Sequence, residues 1–283
     1  MLQQQNEKSP GASAEFPAAQ SERLPSPFVG FLNKTAVIAE LELRKLRHDP
    51  TELFTRAIQP AIWLLLFGQV FSHSRSFPTG GLPYIDFMVP GILAQSVLFI
   101  AIFYGIAIIW ERDLGIIQKF LVSPTPRSAL VLGKALSAGL RAISQAVIIY
   151  ILAVILKVKM NWTPGALLGV VAVVILGAAG FSTFSLIVAC IVKTRERFMG
   201  IGQVLTMPLF FASNAIYPIA IMPAWLQVVS RMNPLTYEVD AFRALMVQGG
   251  TSQFGLPVDF AVLITLTAAL VMVGAWFYPR VAR

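Results

Sequence analysis

Six apolar stretches separated by short polar segments dominate the pattern of the chain. They cover about residues 56–71, 84–110, 136–156, 165–192, 200–221 and 258–278. Most of them approach or exceed the length of about 20 residues that an α-helix needs to cross the hydrocarbon core of a bilayer. The pattern therefore predicts an all-α integral membrane protein with six transmembrane helices.

The fifth apolar stretch is less regular than the others. It contains Pro208 and Pro218, with the polar pair Ser213-Asn214 between them. Polar groups and irregular backbone occur at membrane depth only where protein or water covers them. A kinked or re-entrant segment therefore fits this sequence as well as a simple span does. Residues 222–257, which follow, are too polar to cross, and Trp225 with its apolar neighbours predicts a helix at the outer interface.

The longest charged interruption, Glu111–Lys134, separates the second and third apolar stretches. Leu114, Ile117 and Leu121 recur at helical spacing within it, and the prolines that follow end the helix. The pattern predicts a short amphipathic helix lying across the membrane surface. Two interpretations stay open: the helix receives a push from a soluble partner, or it is a connecting loop held by basic residues at lipid headgroups.

The amino-terminal part divides into two segments before the membrane domain. Residues 1–27 are rich in Gln, Ser, Ala, Pro and Glu, which predicts a disordered cytosolic tail. Residues 28–50 carry an imperfect apolar helical stripe and end in a basic cluster, which predicts an amphipathic helix in the interface plane. Residues 51–283 then form the transmembrane domain.

Composition and charge set the class and the orientation of the protein. With 56% hydrophobic and only 13% charged residues, the chain does not have the composition of a soluble domain. The net charge of +8 does not indicate nucleic-acid binding, because the basic residues lie between apolar stretches. With both termini placed in the cytosol, seventeen Lys and Arg residues fall inside and five outside, which favours that orientation.

The sequence lacks the motifs through which transporters usually obtain energy and enzymes carry out catalysis. Gly133-Lys134 is the nearest approach to a Walker A motif, but Ser128 stands where that motif has its first glycine. The acidic residues avoid the centres of the apolar stretches, which argues against an ion-coupled secondary multidrug efflux carrier. Arg141 is the only basic residue well inside a predicted span, about one turn from its cytosolic end.

The sequence does not support a metal site or a catalytic site either. The single cysteine, Cys190, lies in an apolar stretch, and His48 and His73 fall on opposite sides of the first span. No nucleophile with a base and no metal-binding carboxylate pair is recognisable, which argues against a membrane enzyme. The sequence therefore predicts a passive path, with no catalytic residues and no metal, that another protein drives.

Three groups of residues resemble those of one membrane-protein family. They are Glu111–Gly115 with Leu121–Pro124 and Leu132–Lys134; Ser213–Pro218 with Met222-Pro223 and Trp225-Leu226; and Asn233–Tyr237 with Asp240 and Arg243–Leu245. In this order, among six apolar stretches, they resemble the ABC-2 type exporter permeases, above all the daunorubicin-resistance and nodulation-factor export branch. The similarity extends from about Phe31 to Tyr278.

The resemblance implies a six-helix permease that pairs with a second permease copy, identical or a sister chain, above two separate ABC ATPase subunits. Those partners would bind ATP and magnesium, and this chain would carry no cofactor of its own. The exported molecule would be hydrophobic or amphiphilic: a drug, a lipid, a glycolipid or a polysaccharide. The complex would lie in the bacterial plasma (inner) membrane, in contact with lipids and without nucleic acid.

The resemblance also implies roles for individual residues. In the coupling helix, which contacts the ATPase, they are Glu111, Arg112, Asp113, Gly115, Lys119 and Pro124. In the re-entrant segment at the outer gate they are Ser213, Asn214, Tyr217 and Pro218. In the helix before the last span they are Asn233, Pro234, Tyr237, Asp240 and Arg243. Two positions depart from the family pattern: Asn214 stands where glycine is frequent, and Gln118 where an acidic residue is frequent.

Most of these roles have a structural alternative. Glu111 and Arg112 could pair with lipid headgroups or with each other instead of anchoring the coupling helix. The gate residues could cap a helix break, where a freed carbonyl needs a donor. Glu238 and Asp240 fit a role in orienting the helix before the last span better than substrate contact. Phe99, Phe103 and Tyr104 fit helix packing better than a substrate path.

Overall fold

The computed structural model describes residues 37, 40, 50–74, 78–117, 126–192 and 194–278 of the chain. These residues form eight α-helices and no β-strand, with a single antiparallel bridge between Met160 and Val247. The helices are α1 (Pro50–Ser74), α2 (Tyr84–Asp113), α3 (Arg127–Ile155), α4 (Pro164–Ile191), α5 (Arg195–Phe211), α6 (Ala224–Met232), α7 (Pro234–Met246) and α8 (Leu256–Phe277). The all-α prediction is confirmed for the part of the chain that the structure describes.

Four of these helices are long and apolar enough to cross a bilayer: α2, α3, α4 and α8. Each overlaps a predicted span. The helix α1 contains a shorter apolar part, Ile58–Ser72, and α5 has only 17 residues. The protein is therefore a multi-pass membrane protein, and a count of six spans stays a prediction.

The third span differs from its prediction at one end. The helix α3 begins at Arg127, whereas the apolar pattern begins at about residue 136. The difference arises because Lys134 is buried in a tertiary contact and so belongs to the bundle despite its charge. Arg141 consequently lies fourteen residues into α3, about 21 Å from its first residue at 1.5 Å per residue. Arg141 therefore lies at the middle of the helix. Its distance from the cytosolic end of the membrane span stays a prediction.

The helix α4 forms the centre of the bundle and packs against α2, α3 and α8. Small residues permit these close contacts, as is common where membrane helices meet. At Gly139 of α3, a β-carbon would lie 3.2 Å from the backbone of Ile175 in α4. At Gly274 of α8, it would lie 3.1 Å from the side chain of Thr183. The bundle is therefore held by backbone proximity as well as by side-chain burial.

The fifth apolar stretch folds as a helix followed by a turn. The helix α5 contains Pro208 in its last turn and ends at Phe211, so Pro208 does not break it. Residues 212–218 leave the helical path and lead through a 3-10 turn, Ile219–Ile221, into α6. The helix α7 then packs against α2, α4 and α8. The re-entrant assignment of this segment stays a prediction.

The bundle has two ends, the Tyr84 end and the Asp113 end, after the first and last residues of α2. Near Asp113 lie Lys134 of α3, Arg195 at the beginning of α5 and Val192, which directly follows α4. Near Tyr84 lie residues 214–216 and the last turn of α7. The predicted tail, residues 1–27, lies outside the described residues, and so does the predicted interfacial helix, residues 28–50, apart from Val37, Glu40 and Pro50, which are helical.

Candidate functional site

A buried ion pair joins α2 to α3 at the Asp113 end. The Nζ of Lys134 lies 2.5 Å from Oε2 of Glu111, and both side chains are less than a tenth exposed. Removing one partner would leave the other charge buried and unpaired. The resulting loss of folding free energy is far larger than the stabilisation that an exposed ion pair provides. Glu111 is thus bound to α3 within the chain, and its role as an anchor of the coupling helix stays a prediction.

A second, exposed cluster joins the two charged turns. The carboxylate of Asp113 lies 3.1 Å from a guanidinium nitrogen of Arg112. It also lies 2.9 Å from a guanidinium nitrogen of Arg195, the first residue of α5. Arg112 also donates to the carbonyl oxygen of Val192 at 3.4 Å. The guanidinium of Arg195 lies 3.6 Å from the ring centre of Trp110, which is a cation–π geometry. Asp113 therefore links the end of α2 to the beginning of α5.

Gly115 ends the second helix in a conformation that favours glycine. Its φ is +70°, and its amide donates to the carbonyl oxygen of Arg112 at 2.9 Å. A left-handed residue directly after a helix is a common C-terminal cap, and glycine adopts it without a steric penalty. Ile117, two residues further on, is still buried in the bundle. The other two predicted coupling residues, Lys119 and Pro124, and also Gln118, lie outside the described residues.

At the Tyr84 end, Arg243 of α7 holds the turn that follows α5. Its guanidinium donates to the carbonyl oxygen of Asn214 at 2.8 Å and lies 3.9 Å from the ring centre of Phe87. The hydroxyl of Tyr84 donates to the carbonyl oxygen of Ile216 at 3.0 Å. The turn is thereby fixed to α2 and α7 from two sides.

The other predicted gate residues make local contacts within this turn. Ser213 donates to the carbonyl oxygen of Phe210 at 2.7 Å and accepts from the amide of Ala215 at 3.3 Å. Tyr217 donates to the carbonyl oxygen of Phe211 at 2.5 Å, and Pro218 precedes the 3-10 turn. The side-chain amide of Asn214 is buried without a hydrogen-bond partner among the described residues. Two of the four residues, Ser213 and Tyr217, therefore make the capping contacts of the structural alternative, and the gate role stays a prediction.

The predicted residues of the helix before the last span organise α7. The side-chain oxygen of Asn233 caps α7 by accepting from the amide of Leu235 at 3.0 Å, and its Nδ2 donates to the carbonyl oxygen of Leu209. Pro234 occupies the first helical position, which proline favours. Tyr237 donates to the carbonyl oxygen of Arg231 at 2.7 Å. The end of α5, α6 and α7 is thus tied together through a few polar contacts.

Asp240 fastens α7 to the loop that precedes α8. Its Oδ2 accepts from the amides of Gln253 and Phe254 and from the hydroxyl of Ser252, at 2.7, 3.0 and 2.8 Å. The same hydroxyl lies 2.8 Å from Oδ2 of Asp259 in the first turn of α8. The geometry agrees with a role of Asp240 in orienting the segment before α8.

Glu238 lies outside the predicted apolar stretches and corrects the inference that the protein has no buried carboxylate. Its side chain is fully buried against Gly177, halfway along α4, and neither carboxylate oxygen has a hydrogen-bond partner among the described residues. The polarity of residues 222–257 concealed this position, because the stretch does not cross as an apolar helix. The bundle therefore contains an internal carboxyl.

A cavity of about 660 Å³ lies between α1, α2, α3 and α5. Its wall includes Phe99, Phe103 and Tyr104, so these rings border open space in addition to packing between helices. Gln95 and Gln145 also line it, and sequence reasoning missed them although a polar residue in mid-span is a usable signal. Within the described residues, no group of three or more His, Cys, Asp or Glu side chains could hold a metal ion.

Comparison with known proteins gives a consistent picture. A family model described as ABC-2 type transporter matches residues 34–247 of the chain. The daunorubicin resistance ABC transporter permease protein DrrB1 of Streptomyces coeruleorubidus is 28% identical over 88% of this chain and 87% of its own length. The ycf38 protein of Cyanophora paradoxa, whose name describes a transport permease, is 28% identical over 76% of this chain and 74% of its own. The inner membrane transport permease YadH of Escherichia coli strain K12 is 23% identical over 76% and 82%.

Proposed function

Because this chain belongs to the ABC-2 type transporter family, we propose that it is the permease subunit of an ATP-binding cassette exporter. Two separate ATPase subunits hydrolyse ATP, and a second permease copy completes the path for a hydrophobic or amphiphilic substrate. The drug-resistance name of the DrrB1 relative supports a drug-like molecule. The Lys and Arg distribution supports a cytosolic Asp113 end with both termini inside, and the name of YadH supports the inner membrane.

The link through Asp113 is the observation that carries this proposal. It joins the end of α2, which leads into the predicted coupling helix, to the beginning of α5. The helix α5 in turn leads to residues 212–218, which α7 and Tyr84 hold at the opposite end of the bundle. A displacement of the coupling helix by the ATPase is thereby passed along two rigid helices to the outer gate.

The test reverses the charges of this link in the permease–ATPase complex. We expect Asp113→Arg and Arg195→Asp each to reduce ATP-driven uptake of a fluorescent amphiphile into inside-out vesicles, and the double variant to recover much of it. Complex assembly is expected to persist, because exposed ion pairs contribute only about 0–1 kcal/mol to stability. Glu196→Lys, which reverses the exposed neighbouring acid, serves as the matched control. Full transport by both single variants would refute the coupling role of the link.

Glu238 supports one competing candidate, an ion-coupled secondary multidrug efflux carrier. Carboxyls inside a membrane bundle are typical of proton relays in such carriers. The two candidates separate in proteoliposomes that contain the chain alone. If the chain is an exporter subunit, it does not transport alone under a proton gradient. Together with its ATPase, the Glu238→Gln variant then transports as well as the unmodified chain does. A secondary carrier transports without ATP and loses that transport in the same variant.

A further inference from the structure

The cavity between α1, α2, α3 and α5 has the size and depth of a substrate-binding site. Its volume of about 660 Å³ falls within the range of about 300–1,000 Å³ that small-molecule sites occupy. Arg141 lies at the middle of the 29-residue helix α3, and Gln145 follows it by one helical turn. Gln95 is the twelfth of the 30 residues of α2. The polar part of the wall is therefore far from both ends of these membrane helices.

Two side-chain amides in this wall have unused hydrogen-bonding capacity. Gln95 is 3% exposed and Gln145 is 1% exposed, and neither the amide nitrogen nor the amide oxygen of either residue has a hydrogen-bond partner among the described residues. A buried amide without a partner destabilises the protein, so such groups are uncommon unless they serve a ligand. Both residues line the cavity. A ligand with hydrogen-bonding groups would satisfy them.

The charge of the wall restricts the ligand further. The guanidinium of Arg141 lies 5.4 Å from the ring centre of Tyr104, a cation–π distance that holds the charge at the cavity. None of the described residues that line the cavity is acidic. A guanidinium binds carboxylate and phosphate groups through paired hydrogen bonds and repels a cationic head. The wall thus selects a negatively charged group.

The remainder of the wall suits an apolar body. The rings of Phe99 and Phe103 are stacked with their centres 5.9 Å apart, and both border the cavity. Trp110 lies on the same wall, toward the Asp113 end. Aromatic walls of this kind bind rings and acyl chains through a large apolar contact area. Gln95, Phe99 and Phe103 follow one another at four-residue spacing on α2, so the amide and the rings share one wall of the cavity.

We infer that this cavity binds an amphiphile with a carboxylate or phosphate head and a ring or acyl body. Arg141 and Gln145, one helical turn apart on α3, bind the head, and Phe99, Phe103 and Trp110 contact the body. The inference rests on the proposed function, since it names the substrate class of the exporter. It also separates acidic amphiphiles from cationic ones, which a permease of this family could equally carry.

The test measures binding of two matched probes to the permease–ATPase complex in lipid nanodiscs. The probes are 1-pyrenebutyrate and a trimethylammonium analogue with the same pyrene body, and the signal is quenching of tryptophan emission by energy transfer to pyrene. We expect saturable binding of the carboxylate and at least about tenfold weaker binding of the cation. The same or tighter binding of the cation would overturn the inference without any mutation.

Variants then locate the site. Arg141→Gln is expected to weaken pyrenebutyrate binding about tenfold, Arg141→Lys less, and Gln145→Leu several-fold. Arg231→Gln, at an exposed position outside the cavity, is the matched control and should bind as the unmodified chain does. Unchanged binding in Arg141→Gln and Gln145→Leu, both confirmed as monodisperse, would also overturn the inference.

ATP-driven transport in the same preparations separates the two claims. A complex that transports a substrate but does not bind pyrenebutyrate retains the proposed function and refutes only the acidic site. A chain that binds pyrenebutyrate saturably but assembles with no ATPase retains the site and refutes the exporter role.

Discussion

At the scale of single residues, the pair Glu111–Lys134 is the most consequential contact at the Asp113 end. Both groups are charged, both are buried, and they come from helices that the predicted coupling segment separates. The desolvation cost of such a pair is recovered only while both partners are present. The pair therefore fixes how α2 and α3 meet at the Asp113 end.

Breaking this pair from one side should destabilise the protein strongly. We expect Lys134→Met to lower the free energy of unfolding by about 3–5 kcal/mol, because it leaves the carboxylate of Glu111 buried without its partner. The double variant Glu111→Met with Lys134→Met should be considerably more stable than Lys134→Met, since it removes both charges. The midpoint of thermal denaturation of the purified permease in detergent, followed by tryptophan fluorescence, measures both effects.

An exposed position supplies the control for that experiment. Arg231→Met removes a charge of similar size from a site in contact with solvent, and surface substitutions usually change stability by less than about 0.5 kcal/mol. An equal loss of stability in Arg231→Met and Lys134→Met would mean that burial of the pair is not the cause. So would a double variant no more stable than Lys134→Met.

At the scale of elements, the approach of α2 to the turn after α5 depends on a glycine. A β-carbon at Gly91 would overlap the backbone of Ala215, including its carbonyl oxygen. A backbone obstacle cannot rotate away as a flexible side chain can, so one of the two elements would have to shift. Gly91 therefore sets the distance between α2 and the predicted outer gate.

Substitution of this glycine should damage the fold where a matched substitution does not. We expect Gly91→Ala to be markedly less stable and to expose residues 212–218 to proteolysis. Gly200→Ala, in the interior of α5, meets no atom within 4 Å. It should be neutral or more stable by up to about 1 kcal/mol, because alanine favours the helix. Limited proteolysis and thermal denaturation of the two variants side by side provide the measurement. Equal behaviour of the two would show that the close approach is unimportant.

The element scale also shows which parts of the fold the sequence could predict. Hydrophobicity located α2, α3, α4 and α8, because a membrane helix carries its own signal in about twenty consecutive residues. It did not locate the beginning of α3. The charged residue Lys134 is buried there because its ammonium group pairs with the carboxylate of Glu111. It likewise missed the burial of α7, where Asp240 and Arg243 bind partners distant in sequence.

The candidate sites follow the same division. The resemblance to a family indicated Asp113 and Arg243 as candidates, but their partners Arg195 and Asn214 could be identified only from the packing of the helices. Local helix chemistry was easier to predict: Gly115 caps a helix, and Asn233-Pro234 begins one, with residue types typical of those positions. Gln95 and Gln145 are recognisable in the sequence as polar residues in mid-span, but only the packing of the helices shows that they line one cavity.

At the scale of the whole molecule, orientation decides which end the ATPase reaches. Arg197 of α5 and Arg231 of α6 are both exposed and belong to opposite ends of the bundle. The proposed orientation places Arg197 in the cytosol and Arg231 outside, in accordance with the excess of basic residues at the Asp113 end.

The single native cysteine makes this orientation easy to measure. In a Cys190→Ala background, we expect a membrane-impermeant maleimide to label Arg231→Cys in intact cells and Arg197→Cys only after the membrane is opened. The Cys190→Ala protein without an added cysteine should not react with the maleimide. After the membrane is opened, Arg197→Cys and Arg231→Cys should be labelled equally. Labelling of Arg197→Cys from outside would place the Asp113 link on the outer side of the membrane. A cytosolic ATPase could not then act on that link, and the proposed route of coupling would be excluded.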